Sequence, residues 1–473
     1  MPTSANQTPA GSVDHALDEA PTSLFHLKTA VTSGMGFFTD SYDLNVISTA
    51  LLLLKPQFHL SAGQVGLVGS TALIASFIGA FIFGRIADVI GRKRVYGVEA
   101  LIMALGAILT ALSPNFAWLI VTRFILGIGI GGDYPVSATI MTEYASRRSR
   151  GRQVATMFSA YTFGQITALI IAMTLLAAGV NGNLAWRLML GLGALPALAV
   201  LYNRRRMPES PRFTGAVKGD SARAARELNA FAEGTVAASA GDVRPRRLTL
   251  REFLTNRRLM VTLLGTAGAW FVFDVGSYGN GISQPEIVKS IAPHASLAGV
   301  AAINLMLAVV FGLTGVICCI VMMDRMGRKL QQITGFTIVG LALLAIGLVP
   351  GLTTSVLPFA LVFGLGSFGT SFGPNAGTMV FAAESFPVSV RSTGHGLSAG
   401  IGKVGAYIGA LESPVLLAHI GLRHTELIAA LFYLSGIAFT LLIPEPAGRS
   451  LSELADQAVR EREPAMAGAS SSG

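Results

Sequence analysis

The sequence predicts an all-α membrane protein of twelve transmembrane helices, arranged as two pseudo-symmetric six-helix halves. Three observations predict it. Hydrophobic residues make up 52% of the 473 and charged residues only 13%, against about 25% charged in a soluble domain. Twelve stretches are apolar enough, and close enough to the roughly 20 residues a span requires, to cross a bilayer. The pattern D-x-x-G-R-K occurs twice, at Asp88–Lys93 and Asp324–Lys329, at the same place in each half.

The twelve expected spans are 27–53, 63–88, 95–112, 116–142, 151–179, 184–203, 257–281, 297–323, 330–349, 354–382, 390–418 and 424–443. Breakers separate them, among them Lys55-Pro56, Ser113-Pro114-Asn115, Asn181-Gly182-Asn183 and Pro350-Gly351. Basic residues crowd alternate loops: Arg92, Lys93 and Arg94; Arg147, Arg148, Arg150 and Arg152; Arg204, Arg205 and Arg206; Arg325, Arg328 and Lys329. The opposite loops carry few. The positive-inside rule puts the basic loops and both termini in the cytoplasm. The expected domains are a tail over 1–26, a six-helix bundle over 27–203, a polar linker over 204–256, a second bundle over 257–443 and a tail over 444–473. The linker centre, near 221–233, reads as a surface helix. Inverted or parallel repeats of this kind are the architecture of many secondary transporters, with the solute site between halves near the midplane.

Composition excludes several classes. The net charge of +9 sits in short loops, which argues for membrane orientation and against nucleic acid. Cys318 and Cys319 are adjacent in an apolar run and read as small buried hydrophobes. Residues 1–25 hold Asp14, Asp18 and Glu19 and no apolar core, unlike a cleavable signal peptide. No nucleophile–base pair and no metal-ligand cluster stands out, so neither an enzyme nor a cofactor is expected.

The charges inside the spans carry the chemistry. Asp40, Asp43, Asp133, Asp274 and Lys403 lie in apolar stretches. A charge at the bilayer centre costs at least about 2.5–3.5 kcal/mol, so an ionisable group there marks a functional site by default. Trp270, Asp274 and Tyr278 recur every four residues and share one helix face. Asp40 and Asp43 are one turn apart. Asp133 and Tyr134 hold the place in the first half that Pro374 and Asn375 hold in the second. Glu143 precedes Arg150 by seven residues, as Glu384 precedes Arg391.

The doubled D-x-x-G-R-K loops resemble those of the major facilitator superfamily. The G-G-D-Y-P segment at 131–135, followed by E-Y-A-S-R-R-S-R-G-R at 143–152, is similar to the phosphate:proton symporter family within it. The resemblance extends over nearly all the spans: Asp40 and Asp43, Asp133 and Tyr134, Gln165, the W-x-x-x-D-x-x-x-Y of Trp270, Asp274 and Tyr278, Asn375 and Lys403. It implies a proton-coupled symporter that imports inorganic phosphate by alternating access. It also implies a solute site of Asp133, Tyr134, Gln165, Trp270, Asp274, Tyr278, Asn375 and Lys403. These side chains supply the donors an oxyanion needs. An ionised carboxylate at Asp274 or Asp133 would accept the phosphate hydroxyl, which sulfate lacks.

Burial favours the neutral form of a carboxyl group, which makes membrane aspartates usable proton carriers. Asp40 and Asp43 are assigned to proton coupling. Arg123 lies about ten residues, or ~15 Å, from Asp133 along its helix. Related sugar porters pair a first-span aspartate with such an arginine, so Asp43 with Arg123 is the expected pair. Asp88, Arg92, Glu143, Arg150, Asp324, Arg328, Glu384 and Arg391 are expected to latch the cytoplasmic side, each loop aspartate pairing with basic residues of a neighbouring helix. Glu99 and Glu412 have no assigned role, and His395 reads as structural. The expected partners are phosphate, protons and the lipid bilayer, with a monomer as the working unit in a cell membrane of bacterial inner-membrane type. Two other readings stay open: a proton-coupled carrier of an organic anion or sugar, and a phosphate-binding membrane sensor.

Overall fold

The computed structural model describes residues 11–232, 238–239, 248–451 and 453. Its long helices are α1 (Leu24–Gln57), α2 (Ala62–Ile90), α3 (Arg92–Ala111), α4 (Phe116–Tyr144), α5 (Arg150–Ala177), α6 (Gly182–Arg206), α7 (Arg257–Ile291), α8 (Leu297–Met326), α9 (Arg328–Leu348), α10 (Val356–Glu384) and α11 (Arg391–Leu442). Among the described residues, ten stretches, α2 to α11, are long and apolar enough to cross a membrane. The first expected span, 27–53, lies in α1. That helix is as long as the others but carries Lys28, Asp40, Asp43 and many Ser and Thr residues, and it stands outside the ten. The last two expected spans lie in α11, which breaks at Gly421, where φ is 75° and ψ 168°.

Two other breaks shape the interior. The helical stretch of α10 is interrupted at Gly373, just before Pro374 and Asn375. In α8 a π-helical turn runs over Ala308–Leu313. Such turns interrupt the regular ladder and recur at functional sites. Here Ala308 and Gly312 reach the wall of an internal cavity.

Small residues let the helices close on one another. A β-carbon at Gly131 of α4 would overlap the carbonyl oxygen of Ser76 in α2, and one at Gly409 of α11 would overlap that of Val275 in α7. Helix pairs in a bilayer associate largely by such close backbone approach, because lipid offers no hydrophobic drive between them.

One end of the bundle carries the basic loops. There the short helix Val13–Asp18 packs with Pro211–Ala216 and Ser221–Phe231 of the linker. Val13, Leu17, Phe25, Tyr144, Met207, Ala224 and Leu228 form an apolar cluster beneath them. A two-residue parallel bridge joins Gly11–Ser12 to Ala238–Ser239. Arg204, counted with the linker by its charge, belongs to α6 and is fully buried.

Candidate functional site

Lys403 sits midway along the first part of α11, and its ammonium group is buried. It donates to the Tyr278 hydroxyl at 2.5 Å and to the Tyr134 hydroxyl at 3.2 Å. The Asp274 carboxylate lies 3.5 Å away. Tyr134 in turn donates its hydroxyl hydrogen bond to Asp40, at 2.5 Å. The Tyr134 hydroxyl thus bridges a lysine of the C-terminal half and an aspartate of the N-terminal half. Asp274 and Tyr278 reach Lys403 together because they are four residues apart on α7. Trp270, one turn earlier, has its ring 5.9 Å from that of Tyr134 and edge-on to His395 at 5.6 Å. The His395 Nε2 lies 3.1 Å from the Met379 sulfur.

A cavity of about 130 Å³ adjoins this group. Its polar wall includes Tyr161, Gln165, Tyr278, Asn280, Asn375 and Tyr433. Tyr278 therefore belongs to both the cavity and the Lys403 cluster. Gln165 comes from the N-terminal half and Asn375 from the C-terminal half, the latter carried by the helix that restarts at Pro374.

The expected pair of Asp43 and Arg123 forms, whereas Asp133 and Asp40 group differently from the expectation. Asp43 binds Arg123 with both oxygens on Nη1, at 3.0 and 2.8 Å. Asp133 turns away from Lys403. It pairs with Arg204, which also binds Glu99 at 2.9 Å, and its Oδ1 accepts from the Ser137 hydroxyl at 2.9 Å. The Arg204 guanidinium lies over the Tyr96 ring, 4.5 Å from its centroid. Asp40, expected with the proton-coupling pair, instead joins Tyr134 and Lys403. The reason is helix phase. Asp133 and Tyr134 are successive residues, so they point about 100° apart around α4. When Tyr134 faces Lys403, Asp133 must face α3 and α6.

At the basic end the two halves are tied by hydrogen bonds. Asp88 accepts from the Thr393 amide at 2.6 Å, the Thr393 hydroxyl at 2.7 Å and the Ser392 amide at 3.2 Å. Its counterpart Asp324 accepts from the Arg152 amide at 3.0 Å. Each loop aspartate therefore caps the N-terminal turn of a helix in the other half, α11 or α5. The expected partner was a basic side chain. Each aspartate does hold one, but from its own loop: Arg92 at 3.1 Å and Arg328 at 2.9 Å. The helix N-terminus wins as the cross-half partner because its amides lack intrahelical acceptors and carry positive potential. Glu143 binds Arg92 at 3.0 Å and, across the halves, Arg391 at 3.2 Å. Glu384 binds Arg328 at 3.3 Å. Arg150 bonds Asp18 of the N-terminal helix at 3.2 Å and the Arg449 carbonyl oxygen at 3.1 Å.

Two glutamates of this network escaped the sequence reading. Glu209 accepts from the Arg92 amide at 2.9 Å and the Lys93 amide at 3.3 Å. Glu445 accepts from the Arg328 amide at 3.2 Å and the Lys329 amide at 2.8 Å. The signal was present: Pro208-Glu209 and Pro444-Glu445 follow the last helix of each half. They explain the repeated glycine. Gly91 and Gly327 have φ of 105° and 81°, and both lie directly against the glutamate carboxylates.

The model of the family "Sugar (and other) transporter" matches residues 25–457. The chain belongs to this transporter family. Relatives are similar along most of their length. A "Probable inorganic phosphate transporter 1-6" of Arabidopsis thaliana is 35% identical, over 96% of this chain and 98% of its own. An "Inorganic phosphate transporter 1-11" of Oryza sativa subsp. japonica is 34% identical, over 93% and 89%. Among solved structures, the proton:xylose symporter XylE superposes with a TM-score of 0.78 at 21% identity, over 91% of this chain and 98% of its own. The protein thus has the major facilitator fold. It is a multi-pass membrane transporter and not an enzyme.

Proposed function

We propose that this transporter imports inorganic phosphate together with protons, by alternating access between two six-helix halves. The single observation that carries the reading is the bridge from Lys403 through Tyr134 to Asp40, beside a small polar cavity. Phosphate is the solute named for the plant relatives, and the cavity offers a phosphate-sized oxyanion hydroxyl and amide donors from Tyr278, Gln165 and Asn375.

Charge explains the coupling. With Asp40 and Asp274 both ionised, the group of two carboxylates and one ammonium carries a net negative charge and repels an anion. One proton on either carboxylate makes the group neutral. A second frees Lys403 to pair with phosphate. Charge in a water-poor interior acts at low effective dielectric, so each proton changes anion binding strongly. The carboxylates titrate together, and the proton belongs to the group.

In this reading α1 and the two parts of α11 complete twelve spans, the basic loops and termini face the cytoplasm, and 204–256 joins the halves. The Asp88 and Asp324 caps, with Glu143 and Arg391, hold the cytoplasmic end shut. Their release lets the halves rock open inward. Asp43 with Arg123 and Asp133 with Arg204 act within the N-terminal half. The setting is a cell membrane, with the monomer as the working unit.

The test is radiolabelled phosphate uptake into proteoliposomes with and without an imposed proton gradient. Uptake that rises with an inward proton gradient supports the proposal. Uptake indifferent to the gradient, or competition by sugars or organic anions in place of phosphate, refutes it.

A further inference from the structure

Glu426 lies in the last part of α11, five residues beyond the break at Gly421, and is fully buried. Among the described residues it forms no ion pair. Its Oε2 accepts from the Asn280 side-chain amide at 3.0 Å, and its Oε1 has no hydrogen-bond partner. Asn280 is a wall residue of the central cavity and also of a second cavity of about 170 Å³ between α7 and α11. The carboxyl group is thus one amide away from both spaces.

The charged groups nearby are all engaged or remote. On its own helix, Arg423 donates to the carbonyl oxygens of Gly347 and Leu348, and the His424 ring contacts the Ile420 carbonyl. Tyr433 is two turns further on, at the central cavity. On α7, Asp274 lies six residues inward of Asn280 and is held by Lys403, Glu286 binds Lys55, and Lys289 bonds the Ala295 carbonyl oxygen. The charged residues of α9 and α10, Arg328, Lys329 and Glu384, and those of α8, Asp324 and Arg325, stand at the opposite ends of their helices. On α11, Glu412 lines the second cavity and is itself acidic. Among the described residues, no cation is left to balance an ionised Glu426.

We infer that Glu426 is a proton-binding site of its own, distinct from the central aspartates and loaded from the outer side of the membrane. An uncompensated buried carboxylate is strongly disfavoured, so with the outer ends of α7 and the last helix packed the group holds its proton. Oε2 then accepts from Asn280 while Oε1 carries the hydrogen. Loss of that proton to outer water leaves an anion that must be hydrated, and hydration requires Asn280 and α7 to move away. Protonation of Glu426 therefore stabilises the packed outer end, and its deprotonation favours an outward opening. The assignment of the outer side rests on the orientation proposed above. The proton site itself does not depend on which solute is carried.

Two measurements test it. Infrared difference spectroscopy of the purified full-length protein, taken as the pH is raised, should show loss of a carboxylic-acid C=O band that is absent from Glu426→Gln. In proteoliposomes, Glu426→Gln, which keeps the neutral hydrogen-bonded form, should retain uptake at acid outer pH and lose much of the dependence on outer pH. Glu426→Asp, which keeps a titratable group, should restore part of it. No titrating band assignable to Glu426, or a pH profile of Glu426→Gln that superimposes on the parent, overturns the inference. A failure of phosphate uptake by the parent protein refutes the proposed function and leaves the infrared test standing.

Discussion

Asp274 of α7 and Lys403 of α11 face one another at 3.5 Å, both buried, with the Lys403 ammonium completed by two tyrosine hydroxyls. Removing one partner of a buried pair leaves the other uncompensated and costs about 3–5 kcal/mol. Lys403→Met is expected to abolish uptake and to lower thermal stability in detergent. Asp274→Asn together with Lys403→Met removes both charges and should recover much of that stability while remaining inactive. A double-mutant cycle by thermal unfolding checks this. Strictly additive losses would mean that the two groups do not act as a pair.

Tyr134 and Asp133 are neighbours in sequence with different surroundings. Tyr134→Phe keeps the ring packed edge-on to Phe37 at 5.1 Å and deletes the hydroxyl between Lys403 and Asp40. A hydrogen bond to a charged group contributes about 1.5–3 kcal/mol, so uptake should fall roughly 10- to 100-fold with the fold intact. Asp133→Asn should leave the KM for phosphate near the parent value and act on the rate or on stability, since its partners are Arg204 and Ser137. A large rise in KM for Asp133→Asn, with none for Tyr134→Phe, would reverse the assignment.

That contrast shows what the sequence could and could not disclose. Long apolar runs, alternating basic loops and the doubled D-x-x-G-R-K pattern made the membrane fold legible, because bilayer thickness fixes helix length. Four-residue spacing on α7 brought Asp274 and Tyr278 together, because helical periodicity is local. Which face of α4 points where depends on its packing against α2 and α3, and no local pattern carries that. Arg204 looked like linker because charge was read without its buried partners Glu99 and Asp133. Glu426 passed unnoticed as one acidic residue near a helix end, since burial is a tertiary property.

The caps at the basic end should control which side is open. Asp88→Asn keeps a hydrogen-bond acceptor for the Thr393 amide but removes the charge that complements both the α11 N-terminus and Arg92. The expected result is a population shift toward an open basic end. It is read as faster maleimide labelling of a cysteine at Thr139, whose hydroxyl contacts Ser392, in a background with Cys318 and Cys319 replaced by serine. Asp324→Asn, which uncaps α5, should act in the same direction. Unchanged labelling in both variants would remove the aspartates from gating.

The glycines of the two loops offer a cleaner separation of backbone from packing effects. Gly91 has φ 105° and ψ 154°, and Gly327 has φ 81° and ψ 155°. Both values lie in a region essentially restricted to glycine, where a side chain costs of order 1–3 kcal/mol. At Gly91 an added β-carbon also collides with the Glu209 carboxylate, whereas at Gly327 the nearest Glu445 oxygen would be 3.1 Å away. Both alanine variants should therefore melt below the parent, and Gly91→Ala lower than Gly327→Ala. Glu209→Ala alone keeps Gly91 unstrained but leaves the Arg92 and Lys93 amides without their acceptor. That variant should consequently melt below the parent. A melting temperature equal to the parent's would show that Glu209 serves only as a steric neighbour and does not anchor the loop.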